Sequence, residues 1–255
     1  SDESITLRPE GTAGVVRALL QNGMLNDAFP VKLQYDINCY RYENPQAGRY
    51  REFHQFGAEC FGSADPLQDA EMIAMVADIL DALTVTDIEL HTNSIGCKEC
   101  RPVFNQKLTE YYTQHVDEIC ETCKERLKRN PLRLLDCKEP QCQPIKANAP
   151  HTVDYLCGEC KDHFDGLKAG LDALDIPYGI DPEIVRGLDY YTRTVFEFIT
   201  NKIGAQGTVC GGGRYDGLVE EVGGPATPAL GFAMGIERIL MVMEACGAEF
   251  PPTIQ

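Results

Sequence analysis

The sequence predicts an α+β fold, a mostly antiparallel sheet flanked by helices and interrupted by a helical, cysteine-rich insertion. Three observations predict it. Apolar residues alternate on both sides of a charged turn between residues 31 and 59, a helical apolar period runs from Pro66 to Leu83, and eight of the 12 cysteines fall in close pairs confined to the middle of the chain. Alternation at period two is the mark of a half-buried strand, and a 3.6-residue period is the mark of an amphipathic helix.

Taken in order, Ala13 to Leu20 reads as a first helix. Val31, Leu33, Tyr35 and Ile37 lie on one face of a strand, and Phe53, Gln55, Gly57 and Glu59 on one face of the next, with Asn44 to Gly48 as the turn region between antiparallel partners. Met72, Ile73, Val76, Ile79, Leu80 and Leu83 give the long helix its apolar stripe, and Ile88 to Thr92 is a strand. After Ile176-Pro177 the core resumes with strands around Thr194 to Ile199 and Gln206 to Cys210, then a closing helix from Ala233 to Ala245. Met72, Met75, Met241 and Met243 suit core packing. The expected division is 1–95 as the first part of the core, 96–175 as the insertion and 176–255 as the second part of the core.

At 255 residues, with 44% hydrophobic and 24% charged residues, the chain can bury a sizeable core in one or two domains. It holds no run of about eighteen apolar residues and no basic-then-apolar leader, so a cytosolic protein with no membrane partner is expected. A net charge of −16 argues against a surface generally coated by nucleic acid, because neutralising phosphates takes clustered Lys and Arg. Any RNA contact must be local. From Cys97 to Lys168 twelve basic residues face twelve acidic ones, whereas the rest of the chain holds eleven basic and twenty-seven acidic. The densest basic stretch, Lys124 to Arg133, is either a solvated helix end before Pro131 or an RNA-facing patch.

Two segments carry chemistry on composition alone. Tyr40 to Cys60 places Arg41, Arg49 and Arg51 beside Glu43, Glu52 and Glu59 with almost no aliphatic residue in its middle. Guanidinium groups donate paired hydrogen bonds to phosphate oxygens, and carboxylates suit an ammonium or a cation, so a substrate with both phosphate and amine fits. The paired cysteines are Cys97 with Cys100, Cys120 with Cys123, Cys137 with Cys142, and Cys157 with Cys160. Two such knuckles complete a tetrahedral Cys₄ zinc site, so one or two structural zinc ions are expected. Sequence order suggests the first four thiols as one site and the last four as another, without fixing the pairing. Reduced thiols of a degenerate site are the alternative, since disulfides are unlikely in the cytosol.

The 40–60 segment closely resembles motif 2 of the class II aminoacyl-tRNA synthetases, in the form characteristic of histidyl-tRNA synthetase. Four further segments agree in the family's order. Thr6 to Thr12 resembles the amino-acid-binding loop, Arg186 to Thr192 the first histidine signature, Gly211 to Asp216 the second, and Gly231 to Arg238 class II motif 3. The resemblance implies the class II catalytic fold and activation of histidine by ATP with magnesium, followed by transfer to tRNA(His). In the family the insertion approaches the acceptor arm, which favours the RNA-facing reading of 124–133. It also implies that motif 1, the principal dimer element, and the C-terminal anticodon domain are not in this chain, so that a catalytic core is expected, from an enzyme that is a homodimer at full length.

By position in these motifs, Arg41 and Arg186 are the expected catalytic cations at the α-phosphate, where negative charge builds during activation. Arg49 is expected at the γ-phosphate, Phe53 and Arg238 around the adenine, and Glu43 at the adenine amine or magnesium. Glu10, Thr12 and Gln55 are expected to receive the histidine ammonium, and Glu59 and Tyr191 the two imidazole nitrogens, with Tyr215 beside them. A ring with two polar atoms is best distinguished by partners that an analogue would leave unpaired. Arg8, Arg17, Arg51 and Arg214 read as structural, Tyr190 as core, and His54, His91, His115, His151 and His163 as non-catalytic. Two other classes stay in view: a histidine-binding regulatory paralogue resembling the synthetase-like subunit of ATP phosphoribosyltransferase, and a zinc-dependent RNA-binding module. Binding of ATP separates the first, and loss of RNA affinity on deleting the insertion the second.

Overall fold

The computed structural model describes residues 5–184, 187–203 and 207–250. Helix α1 (Thr12–Gln21) is capped by the Glu10 carboxylate, which accepts from the Thr12 and Ala13 amides. Strands β1 (Val31–Tyr40) and β2 (Glu52–Phe61) pair antiparallel from Val31 opposite Phe61 to Tyr40 opposite Glu52, so the charged residues 41–51 form the connection. Helix α2 (Pro66–Ala82) starts where Asp65 accepts from the Leu67 amide and proline occupies the first turn, a position whose N–H has no intrahelical partner. Then come β3 (Ile88–Ser94), α3 (Cys100–Gln114), α4 (Glu121–Arg129), the single turn α5 (Gln143–Lys146), α6 (Gly158–Ala173) and the short β4 (Gly179–Ile180). The chain closes with β5 (Thr192–Thr200), β6 (Thr208–Arg214), α7 (Leu218–Glu221), β7 (Ala229–Gly235) and α8 (Ile236–Ala245).

The seven strands form one sheet in the order β1-β2-β7-β6-β5-β3-β4, antiparallel throughout except for the β3–β4 pair. This bears out the α+β expectation. One face packs the main core. Phe196 and Phe198 of β5, Val209 and Cys210 of β6, and Leu230, Phe232 and Met234 of β7 meet Met72, Ile73, Val76 and Leu80 of α2, Phe164, Leu167 and Leu171 of α6, and Ile239 and Val242 of α8. A second core gathers Phe104, Leu108, Tyr112, Ile119, Leu134, Leu135, Ile145 and Ala149 between the main sheet's third strand and α6 in the chain.

Three sequence expectations need correction. The closing helix begins at Ile236, because Ala229 to Gly235 form β7, a central strand between β2 and β6. A central strand buried on both faces has no alternation to announce it. The strand expected to end at Cys210 continues to Arg214 through Gly211-Gly212-Gly213, because a Cβ on Gly212 would stand 2.4 Å from the Gly231 carbonyl oxygen and 2.5 Å from the Phe196 ring. Glycine is here a condition of close strand packing. Met75 is 38% exposed, whereas Met72 is buried as expected.

Candidate active site

Side chains alternate across the sheet, so the face opposite the main core carries the odd-numbered residues of β2 and β7. There Gln55, Gly57 and Glu59 of β2 lie in register with Gly235, Ala233 and Gly231 of β7, and Ala233 and Gly231 with Gly211 and Gly213 of β6. Gly211, Ala233 and Gly235 leave a hollow, whereas Tyr35 fills the space over Gly57 and Glu59 that over Gly231. The hollow is a cleft of about 460 Å³ lined by Glu10, Arg41, Glu43, Arg49, Tyr50, Phe53, Gln55, Gly211, Ala233, Gly235, Glu237 and Arg238, among others.

One end of the cleft is cationic. Arg41 lies over the Phe53 ring, 4.2 Å from guanidinium carbon to centroid, and its Nε donates to the Tyr50 carbonyl at 2.6 Å. Arg49 pairs with Glu43. Arg238 donates from Nη1 to the Thr208 carbonyl at 2.6 Å and from Nη2 to the Gly48 carbonyl at 3.0 Å, which ties the turn to α8. Burial lowers the Arg238 pKa, and the charges of Arg41 and Arg49 lower it further; Arg41 is lowered by burial and then by Arg49. Three mutually repelling cations in one cleft favour a polyanion. Glu237, at the first turn of α8, accepts from the His54 amide at 2.9 Å and from its Nδ1 at 2.7 Å. Burial alone would raise the Glu237 pKa, but these bonds outweigh it and hold it below the usual carboxylate range.

The face of β2 that carries Gln55 also carries, at Glu59, a buried polar cluster. Glu59, 1% exposed, accepts from the Thr12 hydroxyl at 2.8 Å and from the Tyr215 hydroxyl at 2.5 Å. Burial pushes its carboxyl up to about 8, against the opposing effect of those two bonds. Tyr215 is raised by burial and by the Glu59 charge. Tyr190 stands between Tyr191 and Tyr215, with ring centroids at 4.9 and 5.7 Å. Tyr191 is buried among Ile95, Ile184 and Val195. Gln55 lies between the cleft and this cluster: it lines the cleft, and its Oε1 accepts from the amide of Gly11, next to Thr12, at 3.0 Å.

The structure therefore brings Glu10, Arg41, Glu43, Arg49, Phe53, Gln55 and Arg238 into one cleft, and joins Thr12, Glu59 and Tyr215 in one hydrogen-bonded group. Arg186 lies outside the described residues. Arg214 is fully buried, pairing with Asp69 at 2.8 Å and Asp216 at 3.1 Å, and Asp69 also holds buried His163 at 2.7 Å, so these charges hold α2, α6 and β6 together. The sequence reading missed Glu237 and the Tyr35 ring, which lies where a Cβ on Gly11 or Gly57 would stand. Glu237 could have been found from its place beside Arg238.

All eight paired cysteines are free thiols in two clusters, but the pairing is nested rather than sequential. Cys97 and Cys100 meet Cys157 and Cys160, while Cys120, Cys123, Cys137 and Cys142 form the inner group; within each the sulfurs lie within 4.8 Å of one another. The outer group joins the starts of α3 and α6, so helix packing sets the pairing. Both groups could hold a metal. Among the described residues no helix is long and apolar enough to cross a membrane.

A profile described as histidyl-tRNA synthetase matches residues 1–239. The histidine–tRNA ligase of Acetivibrio thermocellus is 61% identical over 248 residues, which cover 97% of this chain and 60% of that protein. The crystal structure of apo S. aureus histidyl-tRNA synthetase superposes with a TM-score of 0.79 at 40% identity, over 98% of this chain and 60% of that one. A Bacillus halodurans structure titled ATP phosphoribosyltransferase regulatory subunit/histidyl-tRNA synthetase shares the fold with a TM-score of 0.62 at 23% identity, over 94% of this chain and 64% of that one. The chain spans about 60% of the length of the curated relatives it matches. With the profile match covering nearly its whole length, this chain belongs to the histidyl-tRNA synthetase family.

Proposed function

We propose that the cleft activates histidine with ATP to histidyl-adenylate, and that the parent enzyme transfers the histidyl group to tRNA(His). The observation that carries the reading is a cleft with three guanidinium groups, Arg41, Arg49 and Arg238, whose wall residue Gln55 shares a face of β2 with Glu59 of the buried Glu59–Thr12–Tyr215 group. The first is suited to a triphosphate, the second to a small polar ring.

In this reading Glu10, Thr12 and Gln55 receive the histidine ammonium, and Glu59 and Tyr191 hold the imidazole nitrogens, with Tyr215 fixing Glu59. The histidine carboxylate then faces the α-phosphorus. Its oxygen forms the new P–O bond, the bond to the β-phosphate oxygen breaks, and pyrophosphate leaves. Arg41, and by resemblance Arg186, meet the charge that develops on the α-phosphate; Arg49 meets the γ-phosphate, and Phe53 with Arg238 flank the adenine. Glu43 and Glu237 line the cleft and would hold, through their carboxylate oxygens, a magnesium ion that would screen the phosphates of the nucleotide.

The divisions 1–95, 96–175 and 176–255 fit this reading, with residues 104–149 contributing a core of their own to the insertion. Its basic residues 124–133 would approach the tRNA acceptor arm. Each thiol cluster would take one structural zinc, and the full-length enzyme would be a cytoplasmic homodimer. Because Arg41 acts on charge that arises in the transition state, Arg41→Ala should slow histidine-dependent ATP–pyrophosphate exchange by about 100-fold or more and leave histidine affinity within twofold. An unchanged exchange rate would remove Arg41 from the chemistry.

A further inference from the structure

The outer thiol cluster lies one residue from Arg101, which bonds to Tyr191 immediately before β5. A tetrahedral zinc site with Zn–S bonds of about 2.3 Å has edges of about 3.8 Å. Cys97 and Cys100 sulfurs are 3.7 Å apart, Cys97 and Cys157 3.8 Å, and Cys100 and Cys160 3.8 Å. The Cys97 amide points at the Cys100 sulfur at 3.1 Å and the Glu99 amide at the Cys97 sulfur at 3.3 Å, the kind of outer-shell bonds that orient metal-bound thiolates. Gly96 has φ +70, and a Cβ there would stand 2.6 Å from the Cys100 sulfur.

From this cluster three connections reach the histidine end of the cleft. Arg101, next to Cys100 at the start of α3, donates from Nη2 to the Tyr191 carbonyl at 2.5 Å and from Nε to the Ile95 carbonyl at 3.4 Å. The Arg193 amide donates to the Gly96 carbonyl and the Ile95 amide to the Arg193 carbonyl, both at 2.8 Å. The Arg193 guanidinium reaches Glu159, between Cys157 and Cys160, at 3.3 Å. Arg193 itself has φ +51, a left-handed conformation costly for a non-glycine residue, at a register shift between Thr192 and Val195. Such a conformation persists only where its surroundings impose it. The inner cluster is embedded in the insertion's own core, among Phe104, Leu108, Tyr112 and Leu134.

We infer that the outer Cys97–Cys100–Cys157–Cys160 cluster is a zinc site that positions the histidine pocket, with Arg101 as the positioning residue that carries its order to Tyr191. The inference rests on the reading of the cleft as a histidine site. The inner cluster organises only the insertion.

The test combines zinc analysis, hydrogen exchange at the Ile95 and Arg193 amides, and histidine and ATP KM values in pyrophosphate exchange. The unaltered protein should carry two zinc ions per chain. Cys157→Ser with Cys160→Ser should leave one, speed exchange at both amides, and raise the histidine KM roughly tenfold with the ATP KM within twofold, the effect of losing about one hydrogen bond's worth of order. Cys137→Ser with Cys142→Ser should also leave one zinc but spare both the amides and the histidine KM. Arg101→Ala should keep two zinc ions and show the same histidine defect, partly recovered in Arg101→Lys; this pair decides the matter should the cysteine variants not fold. Two zinc ions in the outer variant, unchanged amide exchange after outer zinc loss, or an unaltered histidine KM in Arg101→Ala would overturn the inference. Absence of histidine-dependent exchange in the unaltered protein would instead sink the catalytic reading, while zinc content and amide exchange still judge the clamp.

Discussion

Glu59 concentrates the buried polar cluster in one carboxyl, and its protonation should be visible in stability. Burial lifts it to about 8, so between its free value and that point the folded chain holds a proton that the unfolded chain has lost. Stability therefore falls as pH rises through that window, by about 1.4 kcal/mol per unit from this one group. Glu59→Gln should flatten the slope between pH 5 and pH 8 and make the protein a few kcal/mol more stable near pH 8, while weakening histidine binding. Urea unfolding at several pH values measures it, and an unaltered slope would mean that Glu59 is ionised in the folded protein. Residue by residue, the cationic cleft was legible because guanidinium and carboxylate groups packed into a segment without aliphatic residues have little else to do. That Glu10 caps α1 through the Thr12 and Ala13 amides was not legible, since a carboxylate two residues before a helix can serve backbone or ligand equally well.

At the level of elements, the hairpin and α2 could be read because each has one apolar face and a marked boundary: the 44–48 turn for one, Asp65-Pro66 for the other. Strand β7 could not, because Leu230, Phe232 and Met234 face the core while Ala233 and Gly235 floor the cleft and Gly231 lies under Glu59, and an uninterrupted small-and-apolar run fits a helix as well as a central strand. The same small residues make the cleft possible. A Cβ on Gly231 would fall 1.6 Å from Glu59 Oε2 and 2.7 Å from the Ala58 carbonyl oxygen, so neither side chain nor backbone can yield easily. Gly231→Ala should cost about 2 kcal/mol or more in stability and displace Glu59. Thermal unfolding with histidine titration checks both effects; full stability with unweakened histidine binding would show that β7 can shift away from β2.

Across the whole molecule, the sequence revealed two kinds of surface but not how they join. The even balance of charge and the paired cysteines of the middle segment marked it out, yet the thiol pairing depends on which helix starts meet in three dimensions, a tertiary fact that spacing does not encode. The nested arrangement places one cluster where α3 and α6 start, next to Arg101 and its bond to Tyr191, and the other inside the insertion's own core. The central claim concerns the cationic cleft and the buried Glu59 group as a unit: the two are proposed to serve one reaction between ATP and histidine. ATP–pyrophosphate exchange measured on this protein with each of the twenty amino acids in turn tests it most directly. The account predicts exchange with histidine and background rates with the other nineteen, whereas histidine and ATP binding without exchange, or equal exchange with another amino acid, would contradict it.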